Sequence, residues 1–139
     1  MAVLLNPYIT FRGNARSALE FYHGIFGGNL ELATFGDFSF HAANDPAEQE
    51  WIMHGTLRGA DGLVLMAADI PTTMEYAAPA GISISLSGPD GDGLRRYWDG
   101  LSAGADIGEE LAQAPWGASF GMLTDRFGVG WMVNIEPTG

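Results

Sequence analysis

The sequence predicts an α+β fold: two βαβββ modules, paired and duplicated, whose curled mixed sheets surround a cavity. Three observations carry this prediction. The apolar pattern runs strand, helix, strand, strand, strand twice along the 139 residues. Tyr22, Gly24, Ile25 and Gly28 recur as Trp98, Gly100, Leu101 and Gly104, at a constant offset of 76. One such module is too small to bury both its helix and its sheet, whereas two curled sheets set together do so and leave a concave surface.

The elements follow in order. Residues 7–11, PYITF, carry β-branched and aromatic side chains and read as a short strand. Gly13-Asn14 breaks it, and Asn14 is a suitable helix N-cap. Ala15, Ala18, Leu19, Tyr22 and Ile25 or Phe26 then recur at helical spacing, and Gly27-Gly28 ends the helix. Residues 29–35 return to a strand. Residues 36–49 are polar with an Asp45-Pro46 turn, and are expected to form a loop. Residues 51–57 and 63–67 read as a hairpin closed around Gly59–Gly62.

The second half repeats this order. Ile82, Ile84 and Leu86 alternate with Ser83, Ser85 and Ser87, the period of a strand. Asp90 and Asp92 are placed to cap a helix carrying Leu94, Tyr97, Trp98 and Leu101, which Gly104 ends. A weak strand at 105–110 precedes stronger ones at 117–123 and 129–135, separated by a turn at 125–128. The expected organisation is a first module at 1–68, a two-proline connector at 69–80 and a second module at 81–139, together one structural domain.

Composition narrows the chemistry. There is no cysteine, which excludes disulfides, thiolate catalysis and cysteine-ligated zinc. All six basic residues are arginine, so Schiff-base chemistry and a phosphate-loop lysine are also excluded. A net charge of −11 repels phosphate backbones and anionic lipid, so neither nucleic acid nor a membrane is an expected partner. The start, MAVLLNPYIT, lacks the basic and long apolar regions of a signal peptide, and no apolar run reaches the roughly 20 residues of a membrane span. The expected location is the cytoplasm.

Three stretches carry a family resemblance: NPYITFRGNARSALEFYHGIFGG, IMHGTLRGADGLVLMAAD and WGASFGMLTDRFGVGWMVNIE. In this order they resemble the opening, the central hairpin and the closing signature of the PhnB-like branch of the vicinal oxygen chelate (glyoxalase/bleomycin-resistance/dioxygenase) superfamily. The resemblance implies paired βαβββ modules, a cavity in each curled sheet and a homodimer. Members of this branch have been named as demethylubiquinone methyltransferases. Here no strand leads into a Gly-x-Gly loop followed by a ribose-binding acid, so a methyltransferase is rejected.

In the superfamily's catalytic members, four cavity positions hold a divalent metal that polarises a substrate oxygen. Carried across residue by residue, these fall on Pro7, Met66, Ile82 or Ser83, and Met132. Thioether and aliphatic groups are poor ligands for hard cations, so the usual site is expected to be absent. A displaced site would draw on His54 and Asp69, with His41 or Glu31 as further candidates. Each of these also has a plainer reading. His54 suits a hydrogen-bonded histidine at a strand or dimer contact, His23 a solvated helix residue and His41 a loop residue. Asp69 and Asp125 suit turn-capping aspartates. Arg12 would meet an anionic substrate or pair with a surface acid.

Serine nucleophiles lack a Gly-x-Ser-x-Gly setting, and Glu109-Glu110 would point to opposite faces of a strand. The aromatic residues concentrate on strands and the loops beside them. Tyr8, Phe38, Phe40, Trp116 and Trp131, with His54, are the expected cavity-lining set. The expected function is therefore binding of a small apolar or aromatic molecule by a homodimer, with no cofactor. The alternative is a divalent-metal-dependent lyase, isomerase or dioxygenase using the displaced site.

Overall fold

The structure, a computed structural model, describes residues 3–38 and 46–137. It separates into two compact units, Met1–Pro79 and Ala80–Gly139. Most of the predicted connector thus belongs to the first unit.

The first unit runs β1 (Tyr8–Phe11), α1 (Ala15–Phe26), β2 (Asn29–Thr34), β3 (Ile52–Arg58) and β4 (Val64–Asp69). Its sheet has the order β1-β4-β3-β2. β1 lies parallel to β4, and the β4–β3 and β3–β2 pairs are antiparallel. The helix forms because Ala15, Ala18, Leu19, Tyr22 and Phe26 make one buried stripe. Each large side chain in that stripe contributes roughly 1.5–3 kcal/mol of burial.

The expected N-cap does not form. The Asn14 side chain makes no capping bond. Asp69, at the end of β4, takes that place. Its Oδ1 accepts from the Gly13 and Ala15 N–H groups at 2.7 and 3.0 Å, and its Oδ2 from Ile52 N–H at 3.0 Å. A carboxylate there satisfies unpaired helix donors and complements the positive end of the helix dipole.

Arg12 has a structural task. Its guanidinium donates to the Ile70 and Pro71 carbonyls at 3.2 Å and to that of Met74, and lies 5.0 Å from the Tyr76 ring centroid. These bonds fix the segment after β4 against the start of α1. Buried Glu48 holds the same segment, accepting from Thr72 N–H and its hydroxyl, the latter at 2.9 Å.

The second unit repeats the plan with β5 (Ser83–Gly88), α2 (Gly91–Leu101), β6 (Asp106–Gln113), β7 (Ser119–Thr124) and β8 (Gly130–Ile135). The order β5-β8-β7-β6 is the same mixed topology. Asp90 caps α2, accepting from Gly93 N–H at 3.0 Å, while Asp92 lies in the first helical turn. β6 extends to Gln113, beyond the predicted strand, and is interrupted by two irregularities of register.

The duplication is thus a repeat of elements, but its offset is not constant. α2 starts 76 positions after α1, whereas Met122 and Met132 pair with each other as Thr56 and Met66 do, 66 positions earlier. The change arises because the first unit joins β2 to β3 through residues 35–51, and the second joins β6 to β7 through only 114–118.

Candidate functional site

Strand alternation divides each sheet into two faces. On β3, a Cβ built on Gly55 would stand 2.4 Å from Leu19 Cδ1, so Gly55 faces the helix. Its cross-strand partner Ala67 shares that face, and Asp69 follows two residues on. His54, Thr56 and Arg58 therefore occupy the open face. Pairing register puts Tyr8, Met66, Thr56 and Glu31 in one row across all four strands of that face. Neighbours in such a row stand about 4.5–5.5 Å apart at Cβ.

Within this row the side chains form a defined surface. The Tyr8 and His54 rings are stacked, 5.9 Å between centroids and 28° between planes. His54 Nε2 is tied to Thr56 Oγ1 at 3.1 Å, and Thr56 is buried. Nδ1 of His54 and the Tyr8 hydroxyl make no hydrogen bond among the described residues, and Tyr8 remains 52% exposed. Partial burial pushes the Tyr8 phenol above its ordinary pKa, so it presents a neutral hydroxyl at physiological pH. The result is an aromatic shelf with an imidazole nitrogen, a phenolic O–H, a thioether and, across the row, the Glu31 carboxylate.

The other expected site residues scatter. Asp69 lies 2% exposed on the helix face, opposite to His54, with both oxygens engaged by backbone donors. The two do not meet, so they form no displaced metal pair. Trp131 is also corrected. It is 1% exposed, pairs with Leu123 and Ile84 on the α2 side, and donates from Nε1 to Asp125 Oδ2 at 2.9 Å. It is a core residue. Asp125 also accepts from the Phe127 and Val129 N–H groups, closing the turn before β8. Trp116 stands 71% exposed in the tight β6–β7 turn, where Ala114 N–H bonds the Ala118 carbonyl at 2.7 Å. Phe38 is exposed in a 3₁₀ turn after β2, and Phe40 and His41 lie outside the described residues. His23 bonds the Gly28 carbonyl at 3.0 Å, closing the end of its own helix.

The register also adjusts the expected metal positions. Pro7 precedes β1 and gives its carbonyl to Met66 N–H at 3.0 Å, so the side chain beside Met66 is that of Tyr8. Ile82 precedes β5, and the side chain beside Met132 is that of Ser85. A phenol and a thioether in one unit, and a hydroxyl and a thioether in the other, contain neither carboxylate nor imidazole. This donor set does not fit a hard divalent cation. Among the described residues no three His, Asp or Glu side chains gather as a metal site.

The second sheet presents the matching row Ser85, Met132, Met122 and Glu109. The thioether at the fourth-strand position and the carboxylate at the edge strand recur, whereas tyrosine becomes serine and threonine becomes methionine. The whole frame recurs, with divergence at the open-face positions, as duplication of one module leaves it. Residues 4–133 match the family model of the Glyoxalase/Bleomycin resistance protein/Dioxygenase superfamily. The chain belongs to that superfamily.

Three relatives illustrate its place there. Protein YjdN of Escherichia coli is 29% identical, over 96% of this chain and 98% of its own. The crystal structure of protein PA1353 from Pseudomonas aeruginosa is 38% identical, with a TM-score of 0.83 over 99% of this chain and all of that one. A Bacillus cereus PhnB protein, described as a putative 3-demethylubiquinone-9 3-methyltransferase, is 19% identical, with a TM-score of 0.72 over 96% of this chain and all of that one. At that identity it supports the superfamily fold alone.

Thr56, Glu31 and the row they share with Tyr8 were not singled out together from the sequence. Their convergence depends on strand register, which the alternation pattern alone does not specify.

Proposed function

We propose that this superfamily member binds a small, neutral aromatic or apolar molecule on the open face of its first sheet, without the superfamily's usual metal. The observation that carries this reading is the Tyr8–His54 stack, with Thr56 fixing the imidazole. A flat ligand laid on the shelf gains ring contacts of roughly 0.5–1.5 kcal/mol each beyond burial. The phenol and imidazole supply the few polar contacts that orient a ligand in an otherwise apolar site. Met66 adds a polarisable, adaptable contact.

The metal-dependent alternative draws on the superfamily fold and on His54 with Asp69, and the second of these is weakened because Asp69 is engaged at the α1 cap and faces away from His54. The methyltransferase reading has no counterpart in the described fold: the sheets are mixed, and the one Gly-x-Gly that follows a first strand, Gly91-Asp92-Gly93, lies within the first turn of α2 rather than in a loop before it. The protein is further proposed to act in the cytoplasm as a homodimer. The exposed apolar side chains of Val3, Leu4, Leu5 and Ile82 support self-association. No described helix is long and apolar enough to cross a membrane.

The test is a screen of neutral one- and two-ring aromatic compounds by saturation-transfer NMR on chelator-treated protein, with elemental analysis of untreated protein alongside. Binding that survives chelation and is lost in a Tyr8→Ala/His54→Ala variant is the expected outcome. Near-stoichiometric divalent metal in untreated protein, with binding abolished by chelator, would overturn it.

A further inference from the structure

The open face of the second sheet carries a depression of about 310 Å³. Its floor is the row Ser83, Gly130, Thr124 and Asp106, which register aligns across β5, β8, β7 and β6. Met122 and Glu109, from the next row, form its wall. The hollow has a cause in the sequence. Gly130 has no side chain, and a Cβ there would stand only 3.1 Å from Ser83 Oγ. The positions 66 residues earlier are Val64 and Arg58, branched or long side chains that occupy the equivalent row of the first sheet.

The lining is chemically uneven. Met122 provides a polarisable apolar wall, and Ser83 and Thr124 provide hydroxyls. Asp106 and Glu109 supply carboxylates, and among the described residues no basic side chain lines the depression. Such a volume is at the lower end of small-molecule pockets, with room for a one- or two-ring body. A thioether favours contact with an aromatic edge. Two carboxylates with no lining cation favour an ammonium group, and the chain's net charge of −11 raises the local concentration of cations.

We infer that this depression is a second binding site, for compact aromatic amines: the ring lies against Met122 over Gly130, and the ammonium meets Asp106 and Glu109. The inference draws on none of the residues of the proposed function, since Tyr8 and His54 belong to the other unit.

The experiment uses three isosteric probes, 1-naphthylmethylamine, 1-naphthylmethanol and 1-naphthoate. Each is titrated into the ¹⁵N-labelled full chain and followed at the amides of Met122, Thr124 and Gly130. The amine is expected to bind there at least tenfold more tightly than the alcohol, and the carboxylate not measurably. An Asp106→Asn/Glu109→Gln variant should reduce the amine to the affinity of the alcohol. A Thr124→Trp variant, which fills the hollow, should remove both. Equal affinity for amine and alcohol in the native chain would overturn the inference. So would amine-induced shifts confined to the first unit, or an Asn/Gln variant that binds the amine unchanged.

Discussion

Asp69 places two oxygens against three backbone donors from two segments, the β1–α1 junction and the start of β3, and this fixes its role more firmly than its charge does. Removing it leaves buried N–H groups without acceptors, at about 1–3 kcal/mol each where water does not replace the carboxylate. Asp69→Ala is therefore expected to lower unfolding free energy by about 3 kcal/mol in urea titration, and a loss below 1 kcal/mol would contradict the assignment. Tyr8 gives a prediction of a different kind. Its phenol has a raised folded pKa, so its contribution to stability is present below pH 10 and is lost as pH rises through the folded value. Melting temperatures of the native chain and Tyr8→Phe should run parallel from pH 6 to 9, and the native chain should fall faster above pH 10. At this scale the sequence was only partly legible. Asp69 reads as a turn cap from its neighbours, and it is a cap, but for a helix far from it along the chain. Trp131 reads equally well on either face of a strand. Only the position of α2 makes it core.

Among the elements, the glycines at 55 and 121 do matching work. Each lies on the third strand of its module, directly under the helix, and a Cβ would stand 2.4 Å from Leu19 or 2.8 Å from the Trp98 ring. Both let a helix side chain seat against the sheet. Gly55→Ala and Gly121→Ala should each cost about 1–3 kcal/mol by overpacking, checked by denaturant unfolding, with far-UV circular dichroism preserved. Gly24→Ala, where nothing lies within 4 Å, serves as the control and should be neutral or mildly stabilising. Element order, helix bounds and the duplication were legible because a 3.6-residue stripe and strict alternation are local patterns. β6 was underestimated because it is an edge strand with almost every residue exposed, so it shows no alternation of apolar and polar side chains.

For the whole molecule, two similar units present open faces with the same frame and different surfaces: Tyr8 and Thr56 in one, Ser85 and Met122 in the other. Duplication preserved what pairs strands and changed what a ligand would touch. This is why membership of the superfamily was readable from motifs while the site was not. The homodimer proposal predicts sedimentation at twice the monomer mass. It also predicts that Leu5→Asp/Ile82→Asp shifts the protein toward monomer, since both side chains are largely exposed in the single chain. The central claim, metal-independent binding at the Tyr8–His54 shelf, is tested most directly by amide chemical-shift mapping of 1-naphthylmethanol on chelator-treated protein. Saturable shifts centred on Tyr8, His54, Thr56 and Met66, unchanged by added divalent metal, are the expected result. Shifts that arise there only after metal is restored, or none at saturating ligand, would contradict it.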